Sequence, residues 1–307
     1  MVGYGAEEAD GRQLTASEYS QAGLLSGVAT RCIIQPLDVL KIRFQLQEEP
    51  LRGSRRGKYW GIVQALLLIR KEEGVTAFWK GHVPAQGLSA IYGIVQFTSF
   101  ELLTKKAMDI PLALTYRGMT DFLCGAVAGC CAMTAAMPLD VIRTRLVAQG
   151  EPKVYRGTLH ASFCIWRYEG FRGYFRGLTP SLAQIAPYTG IQFALYNWFV
   201  EIWKRFINRY ESTGALMCGA LAGTASKTLL YPLDMVRHRL QMRGFKRRGF
   251  GKTTQCRTMI GTFIHVTRNE SILGLFKGLW PSMLKAAANS GFAFLFYELA
   301  LDGIRAL

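Results

Sequence analysis

The chain is short of acid and lacks every arrangement that performs covalent chemistry. Its 307 residues carry 21 Asp and Glu against 37 Lys and Arg, a formal charge of +16. Seven cysteines (32, 124, 130, 131, 164, 218 and 256) form no Cys-x-x-Cys and no Cys/His metal spacing, and the four histidines form no cluster. The cysteines therefore read as small packing residues. No Gly-rich phosphate loop and no nucleophile with a base at a credible spacing is present, which speaks against an enzyme. Residues 1–18 hold Glu7, Glu8, Asp10 and Glu18 with a single Arg, unlike a secretory signal or an Arg-rich, acid-poor transit peptide. Any targeting is expected within the body.

The charge that is present lies unevenly. Residues 41–80, 143–176 and 237–277 hold 26 of the 37 bases but 7 of the 21 acids. A nucleic-acid surface would suit the pI near 9.7, but would not make the basic segments recur at a fixed period. No nucleic-acid partner is expected. Half of the residues are hydrophobic and mean hydropathy is +0.13, between a soluble enzyme and a greasy bundle. Uncharged runs at His82 to Phe100, Phe122 to Leu139 and Gly177 to Val200 reach or approach the roughly 20 residues needed to cross a bilayer core. Others, such as Tyr19 to Thr30, are too short unless a charge is tolerated inside the membrane. Helices around a wet cavity have this look, although hydropathy alone also allows a soluble helical protein. In a membrane, the basic loops face the positive-inside compartment and both termini face away.

One phrase is written three times: Pro36-Leu37-Asp38-Val39-Leu40-Lys41-Ile42-Arg43, then Pro138 to Arg145, then Pro232 to Arg239, at spacings of 102 and 94 residues. Each copy reads Pro-x-acid-x-x-base-x-base. A second phrase follows each: Glu73-Gly74 to Trp79-Lys80-Gly81, Glu169-Gly170 to Phe175-Arg176-Gly177, and Glu270-Ser271 to Phe276-Lys277-Gly278. A period of about 100 residues makes this a threefold repeat: a short N-terminus 1–15, then repeats 16–111, 112–208 and 209–307 in one integral domain. The predicted fold is all-α, with two long membrane helices and one short helix per repeat. Helices are expected over 17–46, 62–72 and 82–106, over 118–148, 159–169 and 179–206, and over 213–243, 257–269 and 279–303. Six spanning helices satisfy their backbone groups internally.

The odd-numbered long helices each begin with a GxxxG, at Gly23 and Gly27, Gly125 and Gly129, and Gly219 and Gly223. Glycines four apart predict close helix packing there. Pro36, Pro138 and Pro232 fall inside these helices and predict kinks, because proline removes a donor and crowds the preceding turn. Asp38, Asp140 and Asp234 precede Lys41, Arg143 and Arg237 by three residues. Such pairs can neutralise themselves on a helix surface. In membrane segments, where an unpaired charge is expensive, threefold symmetry also lets each acid meet a base of another helix.

The triplicated phrase and its aromatic-base-Gly partner resemble the mitochondrial carrier family over essentially the whole chain. The resemblance implies the six-helix, three-repeat fold, the inner mitochondrial membrane, and a functional monomer without enzyme activity or metal. It implies a matrix gate pairing Asp38 with Arg143, Asp140 with Arg237, and Asp234 with Lys41. It also implies glutamine braces at Gln45 and Gln241, with Val147 departing from the pattern. The family's second network, an aromatic-acid-x-x-base phrase on the opposite side, is frayed: Phe100-Glu101 is followed by Thr104, Tyr196 by Asn197, and Tyr297-Glu298 by Leu301. No cofactor is implied beyond structural cardiolipin and other inner-membrane lipid, at Gly61, Gly81, Gly157, Gly177 and Gly278. Helix N-termini there offer N–H groups to lipid phosphate, and the third aromatic-x-Gly is missing.

Helix phase points to what lies above the gate. Residues seven apart drift by only ~20° on a helix, so Arg31, Asp38 and Gln45 share a stripe, as do Lys227, Asp234 and Gln241. The repeat-2 stripe is Met133, Asp140 and Val147. Seven residues past Gly81, Gly177 and Gly278 stand Leu88, Gln184 and Lys285, which match the family's substrate contact points. One turn on are Tyr92, Tyr188 and Asn289, then Gln96, Gln192 and Ala293. Tyr92 and Tyr188 suit either interhelical packing or substrate contact. Arg31, Lys227 and Lys285 suit a phosphorylated polyanion such as a diphosphate, and aromatic or aliphatic neighbours suit a ring system. A transporter by alternating access is the expectation. A carrier of another nucleotide or cofactor with the same gates, and a membrane scaffold that does not transport, are the alternatives.

Overall fold

The computed structural model describes residues 15–49, 57–109, 117–207, 212–245, 256 and 258–305; the expected N-terminal segment falls almost entirely outside them. Repeat 1 consists of α1 (Ala16–Leu46), α2 (Ile62–Glu73) and α3 (His82–Met108). Repeat 2 consists of α4 (Arg117–Ala148), α5 (Thr158–Glu169) and α6 (Leu178–Ile207). Repeat 3 consists of α7 (Ser212–Leu229), α8 (Tyr231–Gln241), α9 (Met259–Glu270) and α10 (Leu279–Arg305). A 3₁₀ turn at Val75–Trp79, Phe171–Phe175 and Ile272–Phe276 joins each short helix to the next long one. No strand occurs among the described residues.

Local chemistry sets the boundaries. A capping box starts α1: the Thr15 N–H donates to Glu18 Oε2 at 2.7 Å and Glu18 N–H returns to Thr15 Oγ1 at 3.4 Å. Each short helix ends where the chain turns to positive φ, at Gly74 (81°), Gly170 (65°) and Ser271 (74°). The three prolines do not act alike. Pro36 and Pro138 sit inside continuous helices, whereas the helix expected over 213–243 breaks at Leu230 and ends at Gln241. Pro232 cannot donate to the preceding turn, and here Leu230 leaves helical geometry and Pro232 opens α8 instead.

The long helices pair between repeats: α3 against α4, α6 against α7, and α10 against α1. The pairs close a ring in which repeat 3 returns to repeat 1. At the Pro-motif end α1, α4 and α8 touch one another. The GxxxG glycines of α1 stand off the packing face, whereas a Cβ on Gly129 of α4 would meet Ile185 at 3.1 Å and one on Gly223 of α7 would meet Gln192 at 3.7 Å. A Cβ on Gly23 or Gly27 would meet nothing within 4 Å. The buried stripes are Ala22-Ser26-Thr30, Cys124-Ala128-Ala132 and Cys218-Ala222-Ser226, one position earlier in each helix. Small residues still bring the helices together, and Ser26 Oγ donates across to the Ala293 carbonyl at 2.8 Å.

By itself only α4, among the described residues, is both long and apolar enough to cross a bilayer. Yet every long helix exposes large apolar side chains, including Leu24, Phe97, Leu123, Phe193, Leu221 and Leu295. A surface of that kind calls for an apolar surrounding or a partner.

Candidate functional site

The ring of charges forms at the end where α1, α4 and α8 converge. Arg143 Nη2 lies 2.6 Å from Asp38 Oδ2, Arg237 Nη2 lies 2.6 Å from Asp140 Oδ2, and Lys41 Nζ lies 2.7 Å from Asp234 Oδ2. Each bridge joins two repeats, so the ring fastens all three. Gln45 Nε2 donates to Asp234 Oδ2 at 3.1 Å, and the Gln241 amide donates to Asp140 while accepting from Thr144 Oγ1 at 2.7 Å. Val147, at the third brace position, is fully buried and has nothing to donate. Each acid pairs across the bundle, and not with the base three residues on in its own helix.

A second tier lies beneath, made by the second base of each phrase and the acid of the Glu-Gly or Glu-Ser phrase. Arg43 reaches Glu73 at 2.5 and 2.7 Å, Arg145 reaches Glu169 at 2.5 and 2.9 Å, and Arg239 grips Glu270 in the same two-pronged way. Paired N–H donors on a carboxylate are the geometry that suits arginine. The same guanidiniums cap the neighbouring repeat. Arg43 donates to the carbonyls of Val147 and Gln149, Arg145 to those of Gln241 and Arg243, and Arg239 to those of Gln45 and Gln47, at 2.9–3.2 Å. Those carbonyls end helices and need partners. Each Glu also takes the base of the aromatic-base-Gly phrase: Lys80 and Arg176 at 2.6 Å, and Lys277. Burial works to raise the Glu73 carboxyl, but Arg43 and Lys80 outweigh it and hold it below the usual carboxylate range. Both members of this tier stand in the repeated phrases. Sequence reasoning gave them no role, since they lie 30, 24 and 31 residues apart on different helices.

Gly81, Gly177 and Gly278 start the even-numbered long helices with φ of 77°, 83° and 83°. A Cβ on them would fall 3.1, 2.9 and 2.9 Å from the carbonyls of Arg143, Arg237 and Lys41. Glycine is needed for the turn and for this approach to the ring. Gly61 and Gly157 start α2 and α5 without a side-chain cap. At the corresponding start of α9, Thr258 Oγ1 accepts from the Gly261 N–H at 3.1 Å. Beside Gly177 and Thr258 lies a cavity of about 480 Å³ with Arg172, Arg176 and Arg243 facing Phe175, Leu240 and Ile260.

The residues placed above the ring divide into two groups. Arg31 Nη1 donates to the Ala85 carbonyl at 3.0 Å, and Lys227 Nζ to that of Ser282 at 3.3 Å. Both acceptors stand four residues past a helix-starting glycine, and the two donors hold the same position in repeats 1 and 3. Repeat 2 has the buried Met133 there. Leu88, Gln184 and Tyr188 are half-buried and Asn289 is exposed. Tyr92 packs against the cluster holding Met133 and Met137, so packing between α3 and α4 describes it here. Gln192 and Ala293 lie at helix contacts, with Gly223 and Ser26 respectively. Lys285 departs from the expected arrangement: Nζ sits 2.5 Å from Asp38 Oδ1, inside the charge ring.

A closed cycle of three helical repeats, with inward cations above a ring of cross-repeat bridges and an apolar exterior, is the architecture of a membrane solute carrier. The family model for mitochondrial carrier protein matches residues 12–110, 115–206 and 208–305, and the chain belongs to that family. It is 46% identical over 305 residues to the mitochondrial thiamine pyrophosphate carrier of Homo sapiens, covering 97% of this chain and 95% of that protein. It is 37% identical over 313 residues to mitochondrial thiamine diphosphate carrier 1 of Zea mays, covering 93% of each. Mitochondrial thiamine pyrophosphate carrier 1 of Coccidioides immitis (strain RS) is 36% identical over 289 residues, covering 91% of this chain and 90% of that protein.

Proposed function

We propose that this chain imports thiamine pyrophosphate into the mitochondrial matrix, in exchange for nucleotides, by alternating access across the inner membrane. The observation that carries the reading is the placing of Arg31 and Lys227 above a complete charge ring, with Lys285 bonded into it. Cations held in a cavity by backbone carbonyls have anion valence to spare, and a diphosphate uses it. The stretches Phe78 to Gln86, Gln149 to Tyr155, Ser226 to Asp234 and Lys285 to Ala287 resemble the thiamine pyrophosphate carriers in particular. Leu88, Gln184, Tyr188 and Asn289 surround the substrate; Tyr92 backs it from the α3–α4 contact.

In this reading the ring is the matrix gate and both termini face the intermembrane space. The protein works as a monomer and needs no cofactor. Anionic inner-membrane lipid, cardiolipin above all, binds at the starts of α2 and α5 and near Gly81, Gly177 and Gly278. The Arg-lined cavity beside Gly177 supports such a lipid site at the seam of repeats 2 and 3, with Thr258 in place of the missing glycine.

Uptake into proteoliposomes tests the proposal. Liposomes preloaded with nucleotide should accumulate labelled thiamine pyrophosphate. Transport of ADP or deoxynucleotides with no response to thiamine pyrophosphate overturns the substrate and leaves a nucleotide carrier. No transport of either leaves a scaffold.

A further inference from the structure

The three bridges of the ring differ in what else holds them. Asp140 takes both Nε and Nη2 of Arg237, at 3.2 and 2.6 Å, and the Gln241 amide. Asp234 takes Lys41 and the Gln45 amide. Asp38 takes one nitrogen of Arg143, whose Nε is buried with no hydrogen-bond partner. Its brace position holds Val147. Lys285 fills the gap from the cavity side, reaching the other oxygen of Asp38 at 2.5 Å while its side chain stays 29% exposed.

We propose that Lys285 is the third brace of the gate, and that substrate opens the seam between repeats 1 and 2 first by drawing this ammonium off Asp38. The second half rests on the transport reading above. A glutamine brace is neutral and tucked beneath its bridge, so an anion in the cavity competes for it weakly. An ammonium is a compact charge on a flexible stem. A diphosphate offers it more negative charge than one carboxylate does. Once Lys285 turns to the phosphates, Asp38 keeps a single contact to an arginine that is already incompletely bonded. The other two bridges keep their amides. The missing glutamine at 147 thus makes one seam responsive to ligand. The site can hold a glutamine, since the equivalent side chains Gln45 and Gln241 are fully buried against Gly278 and Gly177 as Val147 is against Gly81.

The test uses the full chain, purified and reconstituted, with Lys285→Ala, Lys285→Gln, Val147→Gln and the double variant Lys285→Ala/Val147→Gln. Without ligand, Lys285→Ala should lower the Tm and the double variant should recover it. Lys285→Gln, whose amide still reaches Asp38, should fall between. With thiamine pyrophosphate, wild type should show a Tm shift that Lys285→Gln loses, together with a rise in KM of roughly tenfold, as for one charged hydrogen bond. Val147→Gln alone should lower the exchange rate while leaving KM within about twofold, because Lys285 remains free for substrate. A merely structural lysine would not split rate from KM in that way. A wild-type Tm for Lys285→Ala, or a wild-type rate for Val147→Gln with its ligand-free Tm raised, overturns the proposal. If wild type ignores thiamine pyrophosphate yet the double variant recovers the Tm, the substrate reading falls and the brace stands. If wild type transports thiamine pyrophosphate and no recovery occurs, the brace falls alone.

Discussion

At the charge-ring end, the three bridges of the ring each run from one repeat to another. At the far end, the counterpart is Lys105 with Glu101, 2.8 Å apart on the same helix, with side chains 71% and 67% exposed. The first arrangement holds helices together and the second cannot, whatever its length, because both partners move with α3. Burial widens the difference. An exposed pair is screened and contributes little, while a buried one is costly to break because its remaining charge is stranded. Asn197 and Leu301 carry no charge, so those two positions add no ionic tie at the far end.

The largest effect should come from the second tier. Arg145 is fully buried and serves Glu169 and two carbonyls at the end of α8 in repeat 3, those of Gln241 and Arg243. Arg145→Ala should destabilise by about 3–5 kcal/mol, read as a large fall in the thermal unfolding temperature. Arg145→Lys should recover only part, since an ammonium cannot imitate the two-pronged contact. A fall no greater than that of an exposed pair would end the comparison. Gly177→Ala should come next, at about 2 kcal/mol or more, from positive φ and a Cβ 2.9 Å from the Arg237 carbonyl. Gly157→Ala is its control, because φ is 178° there and a Cβ meets nothing. That variant should unfold at the wild-type temperature or above.

The charge-ring end was legible in the sequence for a definite reason. Asp38, Asp140 and Asp234 recur beside prolines, and repetition turned an ordinary i,i+3 spacing into a symmetric set. What stayed hidden depended on approach in three dimensions. The match to the family's substrate contact points put Lys285 in the cavity, but did not show that a flexible stem from α10 ends on Asp38 of α1. The GxxxG pattern flagged the right turns of α1, α4 and α7, yet the contact face runs through Ala22, Ala128 and Ala222. Pro232 looked like Pro36 and Pro138, and sequence does not separate a kink from a break.

Ser271 offers a smaller effect of opposite sign at the same end. It holds φ 74° and ψ 165°, a conformation that glycine adopts freely and other residues adopt under strain. Gly74 and Gly170 occupy the same place in the sister repeats. Ser271→Gly should therefore raise stability by about 1 kcal/mol, less what the unfolded chain gains in freedom. A lower unfolding temperature would mean that the serine hydroxyl gives more than the backbone loses.

The smallest effect belongs to the far end. Glu101→Gln removes the acid of the Glu101–Lys105 pair, and neither partner is withdrawn from water. Solvent and salt already screen that attraction, and the helix keeps its backbone bonds without it. The unfolding temperature should not change measurably, and cysteines in the cavity should label from each side in the wild-type ratio. Asp38→Asn, by contrast, should move that ratio toward matrix-side access. A shift from Glu101→Gln as large as that from Asp38→Asn would show the far end to be a second gate. With no shift, the balance between the two open states rests on the charge ring alone, and a ligand need act only there to turn the carrier over.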